Sequence, residues 1–193
     1  MAIEMLPNRG VHTVGLSCPG CRGRSVCFAV ILAFVLCIAR PGNAESDVVP
    51  AVLQVALFNR IFGYDKSLRP PFKMVILYAG EFVDMAGEVQ KLFEKASQIV
   101  EMLPLREFSR HSSGVSVVYI LAKSVPSAVQ EFCVREAVLS VSPIPSLAER
   151  GEVSLAIGLK EDHKSEIVVH LPRAKLETQN LQMPLLSLAR VIR

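Results

Sequence analysis

Two almost entirely apolar segments constrain the fold of this chain more than any other feature. These segments, Phe72–Ala79 and Val115–Leu121, have too few polar residues for a strand with one solvent-exposed face. Such runs are typical of β-strands that are covered on both faces. Between them, from Met85 to Val100, apolar residues recur three or four positions apart with charges opposite, which predicts an amphipathic helix. Buried strands separated by helices indicate a largely parallel α/β sheet.

The remainder of the chain extends this pattern. Other predicted elements are helices at 48–64, from Pro126 to Cys133 and at 184–192, a short helix led by Pro172, and strands at 105–108 and 137–141. Two alternating runs joined by the polar link 160–164 predict an antiparallel hairpin. We therefore predict an α/β fold of three layers, with helices on both faces of a mixed, mainly parallel sheet. The sheet is expected to have about five or six strands and to end in the hairpin.

Residues 1–44 have the pattern of an export signal. Arg22 and Arg24 precede an uncharged apolar run at 26–38, and small residues lead to a predicted cut between Ala44 and Glu45. A membrane span needs about 20 apolar residues, so retention of this segment as an anchor is the lesser alternative. The prediction is therefore a signal peptide at 1–44, a single domain at 45–193 and a periplasmic location.

The net positive charge of the chain comes from this predicted leader. The whole chain carries a net charge of +3, and residues 1–44 contain four arginines and one glutamate. The predicted domain is consequently neutral, and the basic pI near 8.7 gives no indication of nucleic-acid binding. A membrane contact is expected only if the leader stays uncleaved.

Cysteines and histidines offer little chemistry. The Cys18–Cys21 pair lies in the leader and lacks the second pair of a zinc site, so it is interpreted as a chance match. Only Cys133 remains after the predicted cut, either as a buried inert thiol or as a reactive or interchain one. No pair of histidines has metal-ligand spacing, and no phosphate-binding glycine loop or nucleophile elbow is present. We predict no metal, no cofactor and no catalytic residue.

One polar cluster interrupts the apolar first helix. Asn59, Arg60, Tyr64 and Asp65 lie at its end, and buried charges there require partners. They are interpreted either as a helix-end salt bridge between Arg60 and Asp65 or as part of a groove for a ligand or partner. Gly80, between a predicted strand and helix, either lets backbone amides meet an anion or forms a plain loop. These five residues are the candidate binding site.

The last third of the chain carries a family resemblance. The segments 139–142 (LSVS), 147–151 (LAERG) and 185–191 (LLSLARV), together with the alternating hairpin, are similar to motifs of the YfiR family of exported bacterial proteins. This chain is a divergent example, because Tyr64-Asp65 stands where the family has Trp-Pro and Val115-Ser116 where it often has Cys-His. Behaviour that depends on cysteine oxidation is therefore not carried over.

The resemblance implies a non-enzymatic periplasmic regulator in cyclic di-GMP signalling. Such a protein binds the periplasmic domain of an inner-membrane diguanylate cyclase and holds it inactive. A homodimer is a further expectation. Two other functions stay open: a periplasmic solute-binding or envelope-assembly accessory protein, and a hydrolase whose carboxylates meet only in the fold.

Overall fold

The computed structural model describes residues 49–193 except residues 69, 111–113 and 161–163. The predicted leader and its cut between Ala44 and Glu45 lie outside the described residues. Two of the histidines considered as metal ligands, His111 and His163, also lie outside the described residues. Among the helices that are described, none combines the length and the apolar character needed to cross a membrane.

The described residues form six α-helices and seven β-strands. The helices are α1 (Ala51–Phe62), α2 (Val83–Lys95), α3 (Ser127–Arg135), α4 (Pro145–Glu149), α5 (Leu171–Leu176) and α6 (Met183–Leu188). The strands are β1 (Lys73–Tyr78), β2 (Ile99–Pro104), β3 (Val115–Leu121), β4 (Leu139–Ser142), β5 (Leu155–Leu159), β6 (Ser165–His170) and β7 (Arg190–Ile192). Short 3-10 helices follow β1 at Gly80–Phe82 and β2 at Leu105–Arg110.

The strands form one sheet in the order β2-β1-β3-β4-β5-β6-β7. Every neighbouring pair is parallel except the β5–β6 hairpin. Alternate side chains of β1 enter two separate cores, which α1, α2 and α6 cover on one face and α3 and α4 on the other. The predicted three-layer α/β fold with a mixed, mainly parallel sheet and an antiparallel hairpin is confirmed. The hairpin does not end the sheet as predicted, because β7 pairs with β6 beyond it.

The sheet has more strands than predicted, because two strands occupy segments that were assigned to helix ends. The α2 helix ends at Lys95, Ser97 adopts a left-handed φ of 63°, and β2 begins at Ile99. The chain likewise becomes extended at Ala189, so that β7 replaces the end of the predicted last helix. The predicted strand at 105–108 is instead a 3-10 helix. Pairing with β1 and β6 decided these segments, and local periodicity did not reveal it.

Candidate functional site

A crevice opens at the carboxyl ends of β1, β2 and β3. Strands β1 and β3 are parallel neighbours, but the helices that follow them pack on opposite faces of the sheet. The chain therefore turns away in opposite directions at the ends of these two strands. In open α/β sheets this change of direction leaves the gap in which ligands bind.

The crevice has a volume of about 600 Å³ and is mainly apolar. Six apolar residues line it: Tyr78, Ala79, Val83, Pro104, Leu105 and Pro126. Gly80 and Arg106 are the other two described residues that line it. This volume lies within the range of about 300–1,000 Å³ that small-molecule sites occupy. The arrangement can hold an apolar molecule and contact one charged group.

One hydrogen bond and one ion pair connect the segments that follow β1 and β3. The Ala79 N–H donates to the Leu121 carbonyl oxygen at 2.9 Å, which ties the end of β1 to the end of β3. The Glu81 carboxylate and the Lys123 ammonium group are 3.2 Å apart across the same gap. Because this ion pair is exposed, it contributes little to stability. Each of its two charged groups nevertheless already has a partner.

A second contact fixes the loop after β3. Glu152 accepts a hydrogen bond from the Val125 N–H at 2.8 Å and pairs with Arg150, whose guanidinium also donates to the Lys123 carbonyl oxygen at 2.9 Å. Desolvation acts to raise the pKa of Glu152, but the hydrogen bonds from Arg150 and Val125 and the charge of Arg150 outweigh it and lower that pKa. The wall formed by this loop is therefore held in place before any ligand binds.

The structure separates the five predicted site residues into two places. Gly80 lines the crevice, and a side chain at this position would meet no atom within 4 Å. The other four follow or end α1, near the amino end of β1, where Phe62 packs edge-on against Phe72. They therefore lie at the opposite end of β1 from Gly80 and do not form one site with it.

The predicted ion pair between Arg60 and Asp65 is wrong. Arg60 is exposed, whereas Asp65 is buried and accepts hydrogen bonds at one carboxylate oxygen from the backbone N–H and the hydroxyl of Ser67. Aspartate commonly bonds the backbone two residues ahead in a turn, and this local bond needs no distant arginine. Asp65 also bridges to Leu181, and Tyr64 accepts a backbone hydrogen bond from Gln182. The cluster thus joins α1 to the segment before α6, and Asn59 is only half-buried there.

No protein family model matches this chain, and no curated protein matches it. The resemblance to the YfiR family stays a prediction that depends on the sequence motifs. The geometry of the described residues is therefore the main basis for a functional proposal.

A buried polar cluster was not predicted from the sequence. Glu177 is completely buried, and its carboxylate accepts hydrogen bonds from the backbone N–H and hydroxyl of Ser140 at 2.9 and 2.6 Å. The Ser154 hydroxyl and the Arg173 guanidinium also donate to it, the latter at 2.7 Å. Arg173, itself buried, donates further to the Gln130 carbonyl oxygen. The signals in the sequence were Ser140 within β4, Ser154 directly before β5 and the Arg–Glu spacing of four residues.

This cluster is a structural brace, because each carboxylate oxygen of Glu177 already has two hydrogen-bond donors. A general acid or base needs a free position for a substrate. The neighbouring Cys133 is buried, and desolvation first, then the Glu177 charge, raise the pKa of its thiol. A protonated, buried thiol is a poor nucleophile. The cluster therefore joins α3, α5, β4 and the start of β5.

His170 caps the first turn of α5. Its Nδ1 accepts a hydrogen bond from the Arg173 N–H at 3.1 Å, which requires that nitrogen to be unprotonated. Gly151 has a left-handed φ of 72°, and a Cβ there would lie 2.9 Å from the His170 ring. The glycine in the LAERG segment is thus needed both for its backbone conformation and for this close approach.

The cap makes a pH-dependent contribution to stability. Desolvation, followed by the charge of Arg173, lowers the pKa of His170 below its ordinary value. The unfolded chain therefore binds the proton more tightly than the folded one, and this contribution is lost as the pH falls through the lowered pKa. The His170→Asn protein retains a capping oxygen but does not titrate. We expect the wild type to lose more stability than this variant in urea unfolding between about pH 7.5 and about pH 5. Equal losses would contradict the role of the cap.

Proposed function

We propose that this protein is an exported, non-enzymatic regulator that binds a small molecule in the crevice. Occupancy of the crevice changes its affinity for the periplasmic domain of an inner-membrane signalling protein. A diguanylate cyclase is the receptor class that the sequence resemblance favours. The apolar crevice at the carboxyl ends of β1, β2 and β3 is the observation that carries the ligand-binding part of the proposal. The leader pattern and the sequence resemblance carry export and the receptor class.

The distribution of titratable groups favours binding over catalysis. Among the described residues that line the crevice, Tyr78 and Arg106 are the only ones with a titratable side chain, and none is a carboxylate, a histidine or a cysteine. An enzyme site would bring such groups together in its cleft. An apolar cavity with a single charged residue is better suited to hold a ligand than to transform it.

Regulation by occupancy needs two states that the receptor distinguishes. A ligand can shift an equilibrium only by its differential affinity for the two states. The crevice lies between segments that follow three different strands, so a ligand there contacts the loops after β1 and β2 and the start of α3 at once. A receptor that contacts these loops would respond most directly to occupancy of the crevice.

Export is tested first. We expect the protein in the periplasmic fraction, with an amino terminus that begins at Glu45 when it is sequenced. The leader pattern at 1–44 is the reason. A cytosolic protein that retains residue 1 would contradict the proposed location and the receptor class together.

Receptor binding is tested with a filled crevice. The Val83→Trp protein places an indole in the crevice, whereas Leu176→Trp adds the same group to an exposed position on α5. Cross-linking in cells that make the protein naturally should recover a membrane signalling protein with the wild type and with Leu176→Trp. Recovery with Val83→Trp should differ by several-fold. Failure to recover any membrane signalling protein, or equal recovery with both variants, would contradict the proposed regulation.

A further inference from the structure

We infer that the ligand of the crevice is an amphiphile with an apolar body and one anionic group. This inference concerns the site on which the proposed function rests and specifies the chemical class that the site accepts. It follows from the apolar lining, the volume and the charges around the rim.

The apolar lining sets the body of the ligand. Tyr78, Val83, Leu105 and Pro126 come from four different segments and face one cavity of about 600 Å³. A strongly polar molecule in this space would exchange its water contacts for apolar side chains without compensation. An alkyl or aryl body instead gains the transfer free energy of the surface it buries.

The rim sets the sign of the charge. Arg106 is the only charged residue among the described residues that line the crevice, and its side chain is 85% exposed. Its ion pair with the adjacent Glu107 is long, at 3.7 Å, so the guanidinium retains donors for a second anion. Glu81 and Lys123, which follow β1 and β3, are already paired with each other. A carboxylate, sulfonate or phosphate at the rim can therefore accept hydrogen bonds from Arg106, whereas a cationic ligand would face the positive charge of that guanidinium.

A matched pair of probes tests the inference. Decanoate and decan-1-ol have the same chain and differ in charge, and each is titrated calorimetrically into the purified protein below the concentration at which it aggregates. We expect decanoate to bind up to about fivefold more tightly, which is the effect of one exposed charged contact. Raising the salt concentration should reduce this difference, because the contact is accessible to solvent.

Two substitutions locate the effect. In the Arg106→Gln protein the affinity for decanoate should fall to that for decan-1-ol, whereas Arg135→Gln, at an exposed arginine on α3 outside the crevice, should change neither. Val83→Trp should abolish binding of both probes, and Leu176→Trp should not. Each variant is accepted only if its thermal midpoint shows that it is folded.

The possible outcomes distinguish a wrong ligand class from a wrong binding site. Equal binding of both probes, abolished by Val83→Trp, would overturn the anionic class and leave the proposed binding function standing. Binding that survives Val83→Trp, or that occurs only at millimolar probe concentrations, would overturn the inference because the crevice is then not the site. The receptor cross-linking described above is read independently of both results.

Discussion

The Glu177→Gln protein is expected to unfold with a free energy about 3–5 kcal/mol lower than the wild type, because the buried Arg173 charge is left without its counter-ion. The amide also presents a donor to at least one of the two serine hydroxyls that now donate to the carboxylate. For a domain of this size the loss corresponds to a fall in the melting temperature on the order of 10 °C. Urea unfolding at neutral pH measures it.

The matched control for this prediction is Glu131→Gln. Glu131 is an exposed carboxylate on α3, so the same chemical change there is expected to alter the free energy of unfolding by less than about 0.5 kcal/mol. Adding Arg173→Met to Glu177→Gln removes the unpaired charge, and the double variant should be more stable than the sum of the two single losses implies. If Glu177→Gln behaves like Glu131→Gln, the buried cluster is not a brace.

A single methyl group at Gly158 is expected to lower the free energy of unfolding by about 3 kcal/mol. The Cβ of Gly158→Ala would lie 2.2 Å from Cγ of Pro145, which is closer than any two carbon atoms can approach without bonding. Pro145 begins α4, and its ring is rigid, so the helix must move away from β5 to make room. Thermal and urea unfolding of the purified variant measure the loss.

The matched control is Gly87→Ala, which changes the same residue type with the opposite expected sign. Gly87 lies inside α2, and an added Cβ there meets no atom within 4 Å. Alanine at this helical position should stabilise the protein by about 0.5–1 kcal/mol. Pro145→Ala combined with Gly158→Ala should recover part of the loss, because the obstructing ring is gone. Similar stabilities for Gly158→Ala and Gly87→Ala would contradict the close packing of α4 on β5.

The candidate site shows how far residue patterns extend toward function. Gly80 was selected because it follows a strand and precedes a helix, and this position is at the crevice. Arg106, which supplies the charge of the crevice, follows a strand that was not predicted at all. Asn59, Arg60, Tyr64 and Asp65 were predicted to form a binding site because polar and charged residues follow an apolar helix. Asp65 instead accepts its hydrogen bonds from Ser67 in the same turn.

The class of fold can be predicted from the amino-acid sequence alone. The apolar runs of β1 and β3 and the hairpin of β5 and β6 follow from side-chain period, which is a local property that any short window of the chain contains. Tertiary contacts determine the strands β2 and β7, the burial of Glu177 beside Ser140 and Ser154, and the crevice. Each of these features depends on contacts between segments that are far apart in the chain and meet only when the sheet is assembled. The side-chain periodicity of one segment contains no information about such contacts.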